Sequence, residues 1–172
     1  MTMTPHIRKF ALTLHVTSSV GWLGAVAVFL ALAIAGLTSK DAQMVRATYL
    51  AMELSARFVI VPLCLASLLT GLISSLGTEW GLFRYYWILI KLLITILSTI
   101  GLLVHLQPIR YLAEVAAKTT LSSSDYQAQI QLVIIASAAM LALLVATTLS
   151  MYKPRGMTPY GWRKQYKKRT NS

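Results

Sequence analysis

Four long stretches of this chain carry almost no ionisable side chain, and nothing else in the sequence constrains the fold as strongly. Residues 10–39, 58–78 and 126–152 run for 30, 21 and 27 residues without Asp, Glu, Lys or Arg; residues 85–109 run for 25 with Lys91 as the one interruption. The bilayer core is about 30 Å thick and takes roughly 20 apolar helical residues to cross. Each stretch suffices for one crossing and none for two. The runs are continuous, where a barrel strand would alternate, and a helix satisfies its own backbone hydrogen bonds in lipid. The expected fold is therefore all-α, an integral membrane four-helix up-and-down bundle. Residues 1–152 form a single transmembrane domain with spans near 10–36, 57–77, 85–107 and 128–152, and a basic tail follows at 153–172.

Composition narrows the functional classes. Only 12% of the 172 residues are charged, against about 25% in a soluble domain, so polar side chains are too few to cover a water-soluble enzyme. A non-enzymatic protein of the plasma membrane is expected. The first span, preceded by Arg8 and Lys9 and containing Ala33-Ile34-Ala35, has elements of a cleavable signal peptide. It is too long for a typical signal core and contains His15, Thr17, Ser18 and Ser19, so a retained span is expected.

The net charge of +11 is unevenly placed: seven basic residues fall in the last twenty, directly after an apolar run. Such clusters beside a span set topology and touch anionic headgroups. The expected partner is thus a bilayer with anionic lipids at the tail. With no folded basic domain to enter a groove, nucleic acid is not expected. Arg8, Lys9, Arg84 and the seven tail residues make ten on one side; Lys40, Arg46, Arg57, Arg110 and Lys118 make five on the other. This asymmetry places both termini in the cytoplasm.

Local signals suit such a bundle. Ser39 before Asp41, and Ser124 before Asp125, read as helix N-caps, so spans two and four begin beyond the membrane. Residues 77–81 form a short turn, Pro108 suits the start of a short separate helix, and Trp80, Tyr85, Tyr86 and Trp87 form an interfacial belt. Pro154, Gly156, Pro159 and Gly161 make the tail read as non-helical.

Ionisable groups in a span face the bundle interior, since lipid exposure costs about 2.5–3.5 kcal/mol. Lys91, Thr95, Ser98, Leu102 and His105 recur at steps of three and four and share one face of span three. His15, Ser18, Ser19 and Trp22 share a face of span one; Glu53, Arg57, Cys64, Gly71 and Ser75 share one of span two. Thr17, Gly21 and Gly24 make a small-residue strip elsewhere on span one, for a close neighbour. His15 and Lys91 fall at the same depth near the cytoplasmic side, on diagonal helices, and define an inner polar pocket; His105 lies at the outer end with Glu53 and Arg57. The candidate binding residues are His15, Trp22, Glu53, Arg57, Lys91, Ser98 and His105.

No cofactor or metal is expected. His15 and His105 differ in depth by on the order of 20 Å, so they cannot both ligate one haem. Met44, Met52, Met140, Met151 and the single Cys64 form no copper-binding cluster, and zinc lacks ligands. The site is expected to serve transport or sensing of a small solute, ion or metal. The alternative is a non-catalytic accessory or assembly subunit of a membrane complex, or a homo-oligomer, in which the polar groups fix packing.

The residues His15, Thr17, Ser18, Ser19, Gly21, Trp22 and Gly24 make a first-helix His…Trp-x-Gly pattern, and Trp80, Gly81, Arg84, Tyr85, Tyr86, Trp87 and Lys91 make a second. Together these resemble an uncharacterised family of bacterial four-span integral membrane proteins, and distantly the copper-resistance CopD-like membrane domain. The resemblance covers about 100 residues in spans one to three. It implies a small polytopic membrane protein, with copper handling as the role assigned among relatives, and marks His15, Trp22 and Lys91 as the position-matched residues.

Overall fold

A computed structural model describes residues 3–77, 82–118, 125–154 and 156–170. Among these the chain is helical apart from short connections, with no strand and one isolated bridge between Tyr85 and Met157. Helix α1 is Pro5–Thr38, α2 Ala42–Leu76, α3 Tyr86–Lys118 and α4 Tyr126–Tyr152, all four long and apolar enough to cross a membrane. A fifth helix, α5, is Pro159–Thr170. At 1.5 Å per residue α2 is about 50 Å long, so it outruns a bilayer core of about 30 Å. The sequence-based spans two and three thus cover only the C-terminal part of α2 and the N-terminal part of α3.

Helix α1 packs against α2 and α4, and α3 packs against the same two. Met3 donates from its backbone N–H to Gly77, and Tyr86 donates likewise to Gly156. The start of α1, the end of α2, the start of α3 and the end of α4 therefore meet at one end of the molecule. The hydrophobic core lies toward the other end. Trp22, Val26, Phe29 and Ala33 of α1 meet Tyr49, Met52, Ala56, Ile60 and Cys64 of α2, Ile109 to Ala116 of α3, and Leu132, Ala136 and Leu143 of α4. Facing away from this core, Leu69, Leu97, Ile134 and Leu141 are each about 60% exposed. Apolar side chains this open, spread around all sides, suit a lipid solvent.

Several local expectations are corrected. The cap of α2 is Asp41, whose Oδ1 accepts from Gln43 N at 2.9 Å; Ser39 instead accepts from Asp41 N. The second expected cap, Ser124, lies outside the described residues, and the Asp125 carboxylate accepts from the Tyr111 hydroxyl at 3.4 Å. Pro108 does not open a new helix. It sits inside α3, where the burial of Ile109, Leu112, Ala113 and Ala116 outweighs the lost hydrogen bond. The turn at 78–81, including Trp80 of the aromatic belt, lies outside the described residues. Gly21 of the small-residue strip lies over Leu63 of α2, whereas Thr17 and Gly24 are exposed.

Helix α2 contains a π turn at Ala56–Ile60, where Val61 N reaches back to the Ala56 carbonyl. Pro62 follows directly. A proline clashes with the carbonyl four residues before it and has no N–H to give; the wider turn accommodates both. The inserted residue changes which side chains face inward. Met52, Ala56, Ile60 and Cys64 are buried at steps of four, and Arg57 is exposed, its guanidinium 5.7 Å from the Phe58 ring centroid. Arg57 therefore does not share an inward face with Glu53 and Cys64, because an α-helical count cannot register the extra residue.

The tail is also ordered. Pro159 takes the first helical position, which suits a residue without an N–H. Thr158 caps the helix, its hydroxyl accepting from Gly161 N at 3.1 Å while also donating to the Phe83 carbonyl. Thr158 N donates to Arg84 O at 3.0 Å. Gly161 permits this docking: a Cβ there would lie 2.5 Å from the Arg84 carbonyl oxygen. The expectation of a non-helical tail fails because its prolines and glycines serve as helix start and contact point.

Candidate functional site

At the end where 3, 77, 82 and 153 meet, the helices diverge around a cavity of about 500 Å³. His15 and Lys91 both line it, as do Arg8 and Lys153. Arg8 and Lys153 are exposed at its mouth, while His15 and Lys91 are half-buried. Apolar side chains, among them Leu12, Leu72, Ile88 and Leu92, form much of the remaining wall, with hydroxyls at Ser67 and Thr95. No acidic side chain among the described residues lines it.

His15 is held firmly. Its Nδ1 lies 3.1 Å from the Ser67 carbonyl and 3.3 Å from the Thr70 hydroxyl. A carbonyl only accepts, so Nδ1 carries the proton and Nε2 is left for another partner. Gly71 makes room for the ring: a Cβ there would approach His15 Cε1 to 3.0 Å. Ser19 and Ser67 join their hydroxyls at 2.7 Å just beyond. Lys91 projects along α3 with its Nζ 6.0 Å from the Trp87 ring centroid, at the outer limit of a cation–π contact.

The other candidates lie elsewhere. Trp22 is 3% exposed and belongs to the hydrophobic core. His105 bonds the Gly101 carbonyl of its own helix at 2.7 Å, and it does not line the cavity with His15. Ser98 is half-buried outside the cavity, as is Glu53. The interior contact made by that part of α3 comes from Thr99, which the face count passed over. Thr99 donates to Thr95 O at 2.7 Å, so the Cys64 thiol at 3.1 Å must donate to Thr99. A threonine among apolar residues carries no sequence signal that separates it from its neighbour Ser98.

Among the described residues no group of three His, Cys, Asp or Glu side chains is placed to hold a metal ion. What the cavity offers is cations, hydroxyls and an apolar wall, a set suited to binding. Comparison with protein-family models, with curated proteins and with solved structures finds no match. Fold and composition define the class: an all-helical protein with four helices suited to cross a membrane.

Proposed function

We propose that this chain is a multi-pass protein of the plasma membrane, an up-and-down bundle with both termini in the cytoplasm, that binds a small solute for transport or sensing at its inner polar cavity. The carrying observation is that His15 and Lys91, from separate helices, line one cavity together with Arg8 and Lys153. The ten-to-five distribution of Lys and Arg supports the orientation and puts the cavity mouth on the cytoplasmic side. The basic α5, with Tyr160 and Trp162 exposed, suits the surface of an anionic leaflet. The role is one of binding and not of catalysis. The resemblance to CopD-like domains adds copper as one solute to test.

A second reading has its own support. The contacts of His15 with Ser67 and Thr70, of Ser19 with Ser67, and of Cys64 with Thr99 all join helices. Interhelical polar contacts of this kind hold membrane bundles together, which is what an accessory subunit needs. Mass spectrometry and metal analysis of small molecules that co-purify with wild type and with Lys91→Met separate the two. A stoichiometric species lost in Lys91→Met supports the binding reading. Identical extracts from well-folded proteins favour the accessory subunit.

A further inference from the structure

We infer that the ligand of the inner cavity is an anion carried on an apolar body, a carboxylate or phosphate on an acyl-type chain. This rests on the reading of the cavity as a binding site and names the chemistry that site takes.

Three features point the same way. First, the basic side chains at the cavity come from two different helices and the end of a third. Arg8 and His15 lie a little under two turns apart on α1, Lys91 on α3, and Lys153 caps α4. They form no run in the sequence, so their convergence is a product of the fold. Second, they are graded. Arg8 and Lys153 stand exposed at the mouth, while His15 and Lys91 are half-buried further in. Cations at the mouth of a cleft with low-dielectric walls draw anions toward it. Like charges gathered there repel one another, and a bound anion relieves that repulsion. Third, the wall between them is apolar, at Leu12, Leu72, Ile88 and Leu92. A fully hydrated inorganic anion gains nothing from such a wall, whereas an alkyl chain does.

Lys153 adds a telling detail. It is the non-glycine residue with positive φ among those described, at φ 42° and ψ 61°. Helices commonly end in this left-handed conformation, and glycine is the ordinary residue there. A lysine in that place sends a cationic side chain to the cavity against its backbone preference. Lys153→Gly therefore removes the charge while suiting the helix end.

The occupant's source is either an anionic lipid of the inner leaflet or a soluble amphiphilic acid, and one experiment separates them. The full chain is placed in phosphatidylcholine nanodiscs, and saturable binding of radiolabelled octanoate and octyltrimethylammonium is measured against empty nanodiscs. Octanoate is expected to bind saturably and the cation not to. Lys91→Met is expected to weaken octanoate by at least about tenfold, as removal of one partner of a desolvated charge pair does. Lys153→Gly is expected to weaken it by a smaller factor with thermal stability kept or raised. Competition by phosphatidylglycerol added to the nanodisc identifies a lipid headgroup as the occupant; its failure to compete identifies a soluble acid. Equal binding of the cation overturns the inference, as does octanoate affinity unchanged within about twofold in both variants, or the absence of saturable octanoate binding to wild type. In each of these cases a co-purifying species lost in Lys91→Met still stands for a binding site of other chemistry. Loss of that difference as well ends the site reading itself.

Discussion

At the scale of single residues the interior of this bundle is mostly satisfied, which makes its exceptions informative. The Tyr49 hydroxyl is buried, with no hydrogen-bond partner among the described residues. An unmade hydrogen bond on a buried group costs about 1–3 kcal/mol, so Tyr49→Phe is expected to raise stability by about 1 kcal/mol. Thermal or denaturant unfolding in mixed micelles checks the sign. The buried pair of Cys64 and Thr99 behaves oppositely. Thr99→Val removes the acceptor for the thiol and is expected to cost about 1 kcal/mol by the same measurement. Lys153 belongs here too. Its left-handed backbone stores on the order of 1 kcal/mol, which glycine would release.

At the scale of elements, the sequence shows the long apolar helices plainly and the interruptions poorly. A run of 27 uncharged residues at 126–152 admits one physical solution in a bilayer. The π turn before Pro62 does not announce itself, because a proline in a span is equally compatible with a kink, a helix start or a widened turn. It is that turn which sends Arg57 outward. Pro108 and Pro159 are misread for the same reason: their local preference is settled by what packs around them. The tail offers a direct test at this scale. Gly161→Ala introduces a Cβ against the Arg84 carbonyl and is expected to release α5 from residues 83–86. Faster hydrogen exchange across 156–170 is the expected readout, with Gly24→Ala, which faces open space, leaving the same segment unchanged. Equal protection in both variants would mean that the tail docks by other contacts.

At the scale of the whole molecule, helix order and depth carry the functional argument. That His15 and Lys91 lie at one level follows from counting residues inward from each span's end, and the two side chains do line one cavity. Arg8 and Lys153 are legible only as flanking charges until the fold brings the chain's two ends together. Orientation is read from charge alone. Reporter fusions after Ser172 and within residues 116–123 are expected to report opposite sides of the membrane, the first cytoplasmic. Both on one side would contradict the up-and-down arrangement.

The central proposal is that Lys91 lines a ligand-binding cavity that opens on the cytoplasmic side, and cysteine accessibility tests it most directly. In a Cys64→Ser background, which removes the single native thiol, Lys91→Cys and Leu93→Cys, the latter at an exposed apolar position outside the cavity, are labelled with a membrane-impermeant anionic thiosulfonate in sealed vesicles of each orientation. Rapid labelling of Lys91→Cys in inside-out vesicles only, with Leu93→Cys unreactive, is the expected result. Lys91→Cys unreactive from both sides, or no faster than Leu93→Cys, would contradict it.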